Sequence, residues 1–239
     1  MTPTQPAFHA LIPAAGVGAR AGGNRPKQYQ TLHGKTLLEH TLAAFAKVQG
    51  LASLTVVVSE GDGYVDEVLS HVAATVPMQR RFCGGATRAQ SVLNGLNDLL
   101  ATHNARLSDW VLVHDAARCM VQPWQIEFLM TECATDDVGG LLAVPLADTL
   151  KRADAGRSVE TVHRADKWLA QTPQMFRLGV LRDALMAAGD DVTDEASAIE
   201  MLGLNPKLVL GSPDNFKITW PEDFVIAEAL LHARAKDKT

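Results

Sequence analysis

The 239-residue chain has only three cysteines and no long apolar run, and both observations exclude certain classes of protein. Cys83, Cys119 and Cys133 are odd in number and far apart, so they form neither a disulfide framework nor a CxxC metal motif. No uninterrupted apolar stretch approaches the ~20 residues that span a bilayer. The first residues also lack the basic segment of a secretory signal. We therefore expect a cytoplasmic protein with reduced thiols and no membrane partner.

An excess of positive charge is missing as well. The 22 basic and 27 acidic side chains give a formal net charge of −5, which argues against a nucleic-acid partner. Hydrophobic residues make up 47% of the chain, enough for a substantial core. If the ligands are anions, basic side chains must be concentrated at one site.

Several familiar catalytic motifs are absent. The eight histidines form no HExxH pair and no GxSxG elbow occurs, so neither a zinc hydrolase nor a serine hydrolase is indicated. Cys119 has no activating partner in the sequence, and His114 fits a hydrogen-bonded structural role at least as well as that of a base. A phosphate monoester, whose second pKa is about 6, arrives as an ionised nucleophile and needs no base.

Short apolar runs alternate with longer segments of helical period. This alternation predicts an α/β fold with a mostly parallel central sheet flanked by helices. Strands are predicted at 8–13, 54–59, 78–83, 110–114, 140–145 and 207–211. Helices are predicted at about 36–47, 63–75, 88–101, 124–134, 178–188, 194–202 and from 221 onward, with Thr87 and Thr193 as N-caps and Pro123 in a first turn.

The pattern differs after Pro145. Segments 148–153 and 159–164 alternate like two strands of a hairpin, and their many charged residues leave little apolar surface to bury. We expect this region, about 146–170, to form a β-arm that projects from a single domain spanning 1–239.

The strongest local motif is PAAGVGAR at 13–20, directly after the first predicted strand. Small residues let backbone N–H groups approach an anion, and Arg20 and Lys27 add positive charge. The motif also contains a GxGxxA match, the fingerprint of NAD-binding oxidoreductases. That alternative is weak, because glycines and a proline at 22–26 interrupt the required helix. The fingerprint also needs an acidic residue ~20 positions on, and Glu60, which ends the second predicted strand, lies far too late.

Basic residues also follow other predicted strands. The carboxyl ends of parallel strands meet at one edge of a sheet, so these loops should converge with the first one. A cleft of small residues with several cations and one carboxylate suits a polyphosphate and its metal ion. The residues concerned are Arg20, Lys27, Arg88, Arg118 and Lys217, with Asp115 as the carboxylate.

In these and other segments the chain resembles the 2-C-methyl-D-erythritol 4-phosphate cytidylyltransferases of the non-mevalonate isoprenoid pathway. The matching segments, in the order typical of the family, are PAAGVGAR with PKQY (13–29), GG..R..S (84–91), VHDAAR (113–118), DTLKR (148–152), AQTPQMF (170–176), TDEASAIE (193–200) and DNFKIT (214–219). The resemblance implies a Rossmann-like domain whose β-arm clasps a second subunit in a homodimer. It also implies Mg²⁺-dependent transfer of CMP from CTP to methylerythritol phosphate with release of pyrophosphate.

The resemblance implies a role for each matching residue. The catalytic residues would be Arg20 and Lys27, which stabilise charge on the triphosphate, and Arg164 and Lys217, which hold the acceptor phosphate. The nucleotide site would be formed by Ala14, Ala15, Gly16, Gly18, Gly85, Arg88 and Ser91. The acceptor would contact Asp115, Arg118 and Thr149. Asp115 is also the candidate metal ligand, with Mg²⁺ held mainly through the triphosphate.

Three positions depart from the family pattern. Cys119 replaces a proline, His163 stands where aspartate is common, and Ala86 occupies a position that is often acidic. None of these removes a charge expected on the phosphates. A ribitol 5-phosphate cytidylyltransferase, with similar loops and a different polyol phosphate, is the nearest alternative.

Overall fold

The chain folds around a seven-stranded sheet, seen in a computed structural model that describes residues 5–16, 25–102, 104–189 and 192–236. The strands are β1 (Phe8–Pro13), β2 (Thr31–Leu32), β3 (Lys35–Thr36), β4 (Leu51–Val57), β5 (Met78–Arg81), β6 (Trp110–Val113), β7 (Gly139–Pro145), β8 (Leu150–Asp154), β9 (Arg157–Val162), β10 (Trp168–Arg177) and β11 (Lys207–Leu210). The helices are α1 (Leu37–Phe45), α2 (Val65–His71), α3 (Arg88–Thr102), α4 (Pro123–Cys133), α5 (Leu178–Ala188), α6 (Glu195–Met201) and α7 (Pro221–Lys236), besides a 3-10 turn at Lys27–Tyr29. Gly18 and Arg20 lie outside the described ranges.

The central sheet has the strand order β11-β7-β10-β6-β1-β4-β5. β1 pairs in parallel with β4 and β6, β4 with β5, and β7 with β11, whereas β10 runs antiparallel to both of its neighbours. The predicted mostly parallel α/β sheet is therefore confirmed. β10 itself was not predicted, because polar residues and Pro173 interrupt its apolar pattern and proline is uncommon inside a sheet.

Both faces of the sheet are buried. Ala10 and Ile12 of β1 pack in a core beneath α1, α2 and α4, while Leu11, between them, packs in a second core beneath α3, α5 and α6. Alternate residues of a strand point to opposite faces, so a continuous apolar run is what a sheet covered on both sides requires. A third cluster anchors α7. Within the ranges given above, no helix is long and apolar enough to cross a bilayer.

Of the residues predicted at three helix N-termini, Thr87 and Pro123 are found as predicted and Thr193 is not. Thr87 Oγ1 accepts from Gln90 N at 3.1 Å as predicted, although the Gln90 side chain donates onward to Asn94. Pro123 occupies the first turn of α4. For α6, however, the predicted cap at Thr193 is wrong by one residue. Asp194 is the N-cap, and its Oδ1 accepts from Ser197 N at 3.0 Å.

The segment predicted to form the arm contains the hairpin β8–β9, which forms a two-stranded sheet of its own. Every residue of β8 is exposed, and so is all of β9 except half-buried Val162. Arg152 and Glu160 form a cross-strand ion pair at 2.8 Å. The arm ends earlier than expected, because residues 168–170 pair with β7 in the central sheet.

Candidate active site

A cavity of about 400 Å³ opens at the edge of the sheet where β1, β5 and β6 end. It brings together residues from loops that are distant in sequence, as predicted from the common direction of the strands. Of the residues predicted for the site, the cavity is lined by Ala14, Ala15, Gly16, Lys27, Gly85, Arg88, Ser91, Asp115 and Lys217. Arg118 lines an adjoining cavity of about 150 Å³ together with Arg88, Asp115 and Lys217.

The loop after β5 packs against its neighbours too closely for side chains. A Cβ at Gly84 would lie 2.4 Å from Ala15 Cβ, and a Cβ at Gly85 would lie 2.2 Å from Gln90 Cγ. Gly85 N donates to Ser91 Oγ at 3.0 Å, which ties the loop to α3. The glycines therefore bring backbone to the wall of the cavity at close range.

The loop after β1 is held by residues that the sequence analysis did not single out. Gln28 Nε2 donates to Ala14 O at 2.6 Å, and Ser59 Oγ donates to Ala15 O at 2.8 Å. Next to Gln28, Lys27 Nζ donates to Ile218 O at 2.6 Å, beside Lys217. This contact joins the first loop of the chain to the last one at the cavity.

Asp115 lies at the centre of a charge cluster that we define as Arg88, Asp115, Arg118, Glu195 and Lys217. Its Oδ1 accepts from Arg88 Nε at 2.8 Å, and its Oδ2 lies 2.9 Å from Lys217 Nζ and 3.7 Å from Arg118 Nε. Burial alone would raise the pKa of Asp115, but the charges of Arg88 and Lys217 outweigh it and hold the pKa far below its ordinary value.

Glu195, which the sequence analysis did not single out individually, completes the charge cluster. Its side chain is fully buried, and its two oxygens accept from Arg88 Nη1 at 2.7 Å and Nη2 at 3.0 Å. Burial would lower the pKa of Arg88, but Glu195 and Asp115 raise it above its ordinary value. All three guanidinium nitrogens of Arg88 therefore face carboxylates of the protein.

The charge cluster does not fit a magnesium site made by the protein itself. Mg²⁺ prefers carboxylate and water oxygens in octahedral geometry, whereas both oxygens of Asp115 already face cations at 2.8 and 2.9 Å. A metal bound there would have to displace Arg88 or Lys217. Nowhere in the described part of the chain do three His, Cys, Asp or Glu side chains stand close enough to hold a metal ion.

His114 is a neutral structural residue. Because the Arg118 carbonyl can only accept, His114 Nε2 carries the ring proton and donates to Arg118 O at 3.2 Å. His114 Nδ1 then accepts from the Thr172 hydroxyl at 3.1 Å, and Thr172 Oγ1 accepts from Asp115 N at 3.0 Å. Burial lowers the pKa of His114 to about 3. Because its ring nitrogens have these partners and it carries no charge at neutral pH, His114 fixes the loop and does not act as a base.

β10 supplies polar side chains that support the cluster. Its register shifts between Ala170 and Gln174. Within this irregular stretch, the Thr172 carbonyl accepts from Asn215 Nδ2 at 2.8 Å. Gln174 Nε2 donates to Asp194 Oδ2 at 2.8 Å, and its Oε1 accepts from Ala196 N at 2.7 Å. The only signal for these residues in the sequence was their membership of the AQTPQMF, TDEASAIE and DNFKIT segments.

Comparison with known proteins identifies the family. Residues 8–233 match the family model described as IspD, 2-C-methyl-D-erythritol 4-phosphate cytidylyltransferase. The chain belongs to this family. A 2-C-methyl-D-erythritol 4-phosphate cytidylyltransferase of Burkholderia vietnamiensis is 50% identical over 235 residues, covering 96% of this chain and 98% of that protein. The resemblance seen in the sequence is confirmed.

Two further relatives support the family membership. The bifunctional enzyme IspD/IspF of Albidiferax ferrireducens is 58% identical over 97% of this chain, which spans 54% of that longer protein. A crystal structure of 4-diphosphocytidyl-2C-methyl-D-erythritol synthase, 41% identical, superposes with a TM-score of 0.84 and covers 95% of this chain and 100% of that one.

Two residues that the cytidylyltransferase resemblance places in the site do not line the cavities of their own chain. Thr149 precedes β8 and Arg164 follows β9, and neither lines the 400 Å³ or the 150 Å³ cavity. Arg164 donates to the carbonyl of Ala147 across the base of the arm. Both residues therefore lie at the base of the arm and do not contribute to the lining of either cavity.

Proposed function

We propose that this protein transfers CMP from CTP to 2-C-methyl-D-erythritol 4-phosphate in the cytoplasm, giving 4-diphosphocytidyl-2-C-methyl-D-erythritol and pyrophosphate. The observation that carries the proposal is the convergence of Lys27 and Lys217 with small residues in one cavity of a chain that belongs to the cytidylyltransferase family. Family membership favours this activity over the NAD-binding oxidoreductase alternative.

The reaction joins an acceptor phosphate oxygen to the α-phosphorus of CTP and breaks the bond from that phosphorus to the bridging oxygen, so pyrophosphate leaves. The acceptor is already ionised at neutral pH, and no general base is required. Catalysis then depends on alignment and on stabilising charge that grows on the leaving phosphates. We assign this stabilisation to Arg20 and Lys27. The Nζ of Lys27 donates to Ile218 O, where the first and last loops of the site meet.

The acceptor is assigned to the 150 Å³ cavity beside the main one. Arg118 and Lys217 present positive charge there, and Asp115 offers a carboxylate for a hydroxyl of the polyol. Arg118 is held by its Nη1 and Nη2, which donate to Asn215 O at 2.9 Å and Ala170 O at 3.1 Å. A fixed guanidinium gives a defined position to a phosphate or hydroxyl ligand.

The cytidine is assigned to the wall of small residues. A pyrimidine can approach backbone groups closely where side chains are absent, and a larger purine would be disfavoured by size. The close approach of Gly84 to Ala15 supports this assignment. The residues concerned are Ala14, Ala15, Gly16, Gly18, Gly85 and Ser91.

A homodimer would bring Thr149 and Arg164 to a cavity that they do not line in their own chain. Thr149 and Arg164 lie on an exposed arm, which also carries Leu150 and Val159 with 37% and 49% of their surface exposed. In the proposed homodimer, another chain covers these apolar side chains. We assign that chain to a second copy, whose cleft receives Thr149 and Arg164.

Mg²⁺ is assigned to the triphosphate itself. The charge cluster offers no protein cage for the ion, and Mg²⁺ commonly binds through substrate phosphates and water. The predicted dependence on Mg²⁺ therefore requires no displacement of Lys217 from Asp115.

The test is pyrophosphate release in the presence of Mg²⁺ with CTP, UTP, ATP or GTP, offering methylerythritol 4-phosphate and ribitol 5-phosphate in parallel. Mass spectrometry identifies the products. We expect release only with CTP and methylerythritol phosphate. A preference for ribitol phosphate would move the enzyme to the alternative substrate, and no release with any pair would refute the proposed activity.

A further inference from the structure

Glu195 is a buried carboxylate that the proposed reaction does not use. It has no exposed surface and is absent from the lining of the 400 Å³ cavity. Burying a carboxylate is costly unless it is paired, and a buried ion pair often gives no more stability than apolar residues of similar size. Stability alone is therefore a weak explanation for this pair.

Arg88 links Glu195 to the cleft. The guanidinium is planar, and Glu195 holds both of its terminal nitrogens, at 2.7 and 3.0 Å. The remaining nitrogen, Nε, donates to Asp115 Oδ1 at 2.8 Å. Arg88 cannot turn without breaking two charge-assisted hydrogen bonds, so Glu195 fixes the direction in which Arg88 meets Asp115.

The chain of contacts continues to a side chain that faces the substrates. Asp115 Oδ2, the oxygen that Arg88 leaves available, lies 2.9 Å from Lys217 Nζ. Lys217 lines both the main cavity and the adjoining one. The neighbouring residue Ile218 is fixed by a hydrogen bond of 2.9 Å from its backbone N to Ala117 O. If Asp115 moved, the ammonium group of Lys217 would therefore move with it, while the backbone of Lys217 would stay in place.

The far end of this chain of contacts is rigid. Glu195 is the first residue of α6, directly after the N-cap Asp194. Gln174 of β10 binds Asp194 Oδ2 at 2.8 Å and Ala196 N at 2.7 Å. The start of α6 is thus attached to the central sheet on both sides of Glu195.

We propose that Glu195 is a positioning residue, which acts through Arg88 to fix Asp115 and thereby Lys217 on the acceptor side of the cleft. In this proposal Arg88, which the resemblance assigned to the nucleotide, holds Asp115 in place within the charge cluster. Three cations against two carboxylates leave the cluster one net positive charge. Loss of Glu195 would leave Arg88 without the partner of its terminal nitrogens. This inference rests on the proposed function.

The experiment is steady-state kinetics of Glu195→Gln, which keeps the side-chain shape and removes its charge. We expect kcat/KM for methylerythritol phosphate to fall by about tenfold or more, since small misplacements of positioning groups have effects of this size. The KM for CTP should stay near the wild-type value. An unchanged kcat/KM for methylerythritol phosphate would overturn the inference.

Asp109→Asn is the matched control. Asp109 is a buried carboxylate bound to Arg106 at 2.7 Å, just before β6, whereas Asp115 lies just after the same strand. Its replacement should lower the melting temperature and leave both KM values unchanged. A fall in kcat/KM for methylerythritol phosphate in Asp109→Asn as large as that in Glu195→Gln would show that general destabilisation explains the result.

A double variant separates positioning from folding. Arg88→Gln with Glu195→Gln removes both charges, so no unpaired ion is buried and the melting temperature should recover relative to Glu195→Gln. The kcat/KM for methylerythritol phosphate should not recover, and its recovery would overturn the inference. Absence of turnover by the wild-type enzyme with CTP and methylerythritol phosphate would instead refute the proposed function.

Discussion

Replacement of Gly84 by alanine tests whether close backbone packing shapes the nucleotide wall. The new Cβ would lie 2.4 Å from Ala15 Cβ and 2.9 Å from Val58 O, whereas ordinary contact begins at 3.4 Å. Because Ala15 Cβ is attached directly to its backbone and cannot turn away, the two loops must separate by about 1 Å. A displacement of this size can cost up to ~100-fold in catalytic efficiency. Overpacking of this kind also lowers the free energy of unfolding by about 1 to 3 kcal/mol.

The assay is kcat/KM for CTP, measured at saturating acceptor, together with the melting temperature. We expect kcat/KM for CTP to fall by about 10-fold to 100-fold in Gly84→Ala. Gly63→Ala is the control, because a Cβ at Gly63 meets no atom within 4 Å and the residue has no positive φ. If Gly84→Ala matched Gly63→Ala in both measurements, the argument from close packing would be refuted.

Three further predictions concern charge, assembly and pH. Lys27→Ala or Arg20→Ala should lower kcat by the equivalent of about 2 to 4 kcal/mol with an unchanged circular dichroism spectrum, and near-normal turnover would contradict their assignment. Mixing inactive Arg164→Ala with inactive Lys27→Ala subunits should restore activity, and verified heterodimers without activity would exclude a shared site. Burial lowers the pKa of His114 from 6.5 to about 3. As the pH falls through this range, His114 therefore takes up its proton in the unfolded chain at a higher pH than in the folded chain. Stability should therefore decrease from pH 6.5 toward pH 3, and urea unfolding should show a shallower decrease in His114→Asn.

The sequence predicted most of the sheet because its parallel strands are buried on both faces. Runs such as the one containing Leu11 and Ile12 are continuously apolar, and this signal is local. β10 was missed because its central residues serve the site as well as the sheet. Thr172 and Gln174 direct polar groups to His114 and to α6, and such contacts depend on distant segments.

The candidate site was predicted through its loops more than through its buried charges. Small residues and cations after strands identified the cavity, since strand direction alone brings those loops together. Spacing could not reveal that Arg88 faces two carboxylates, because Glu195 is 107 residues away along the chain. The resemblance assigned Arg88 to the nucleotide, and Glu195 was not singled out.

The arm emerges from the sheet between two neighbouring antiparallel strands. Pro145 of β7 lies opposite Trp168 of β10, and Leu146 N donates to Lys167 O at 3.0 Å, so segment 146–167 begins and ends at the same rung. A segment closed in this way can lengthen, shorten or change its sequence with little entropic cost to the rest of the fold. The tip of the arm can therefore diverge among relatives while the loops that line the cavity stay in place.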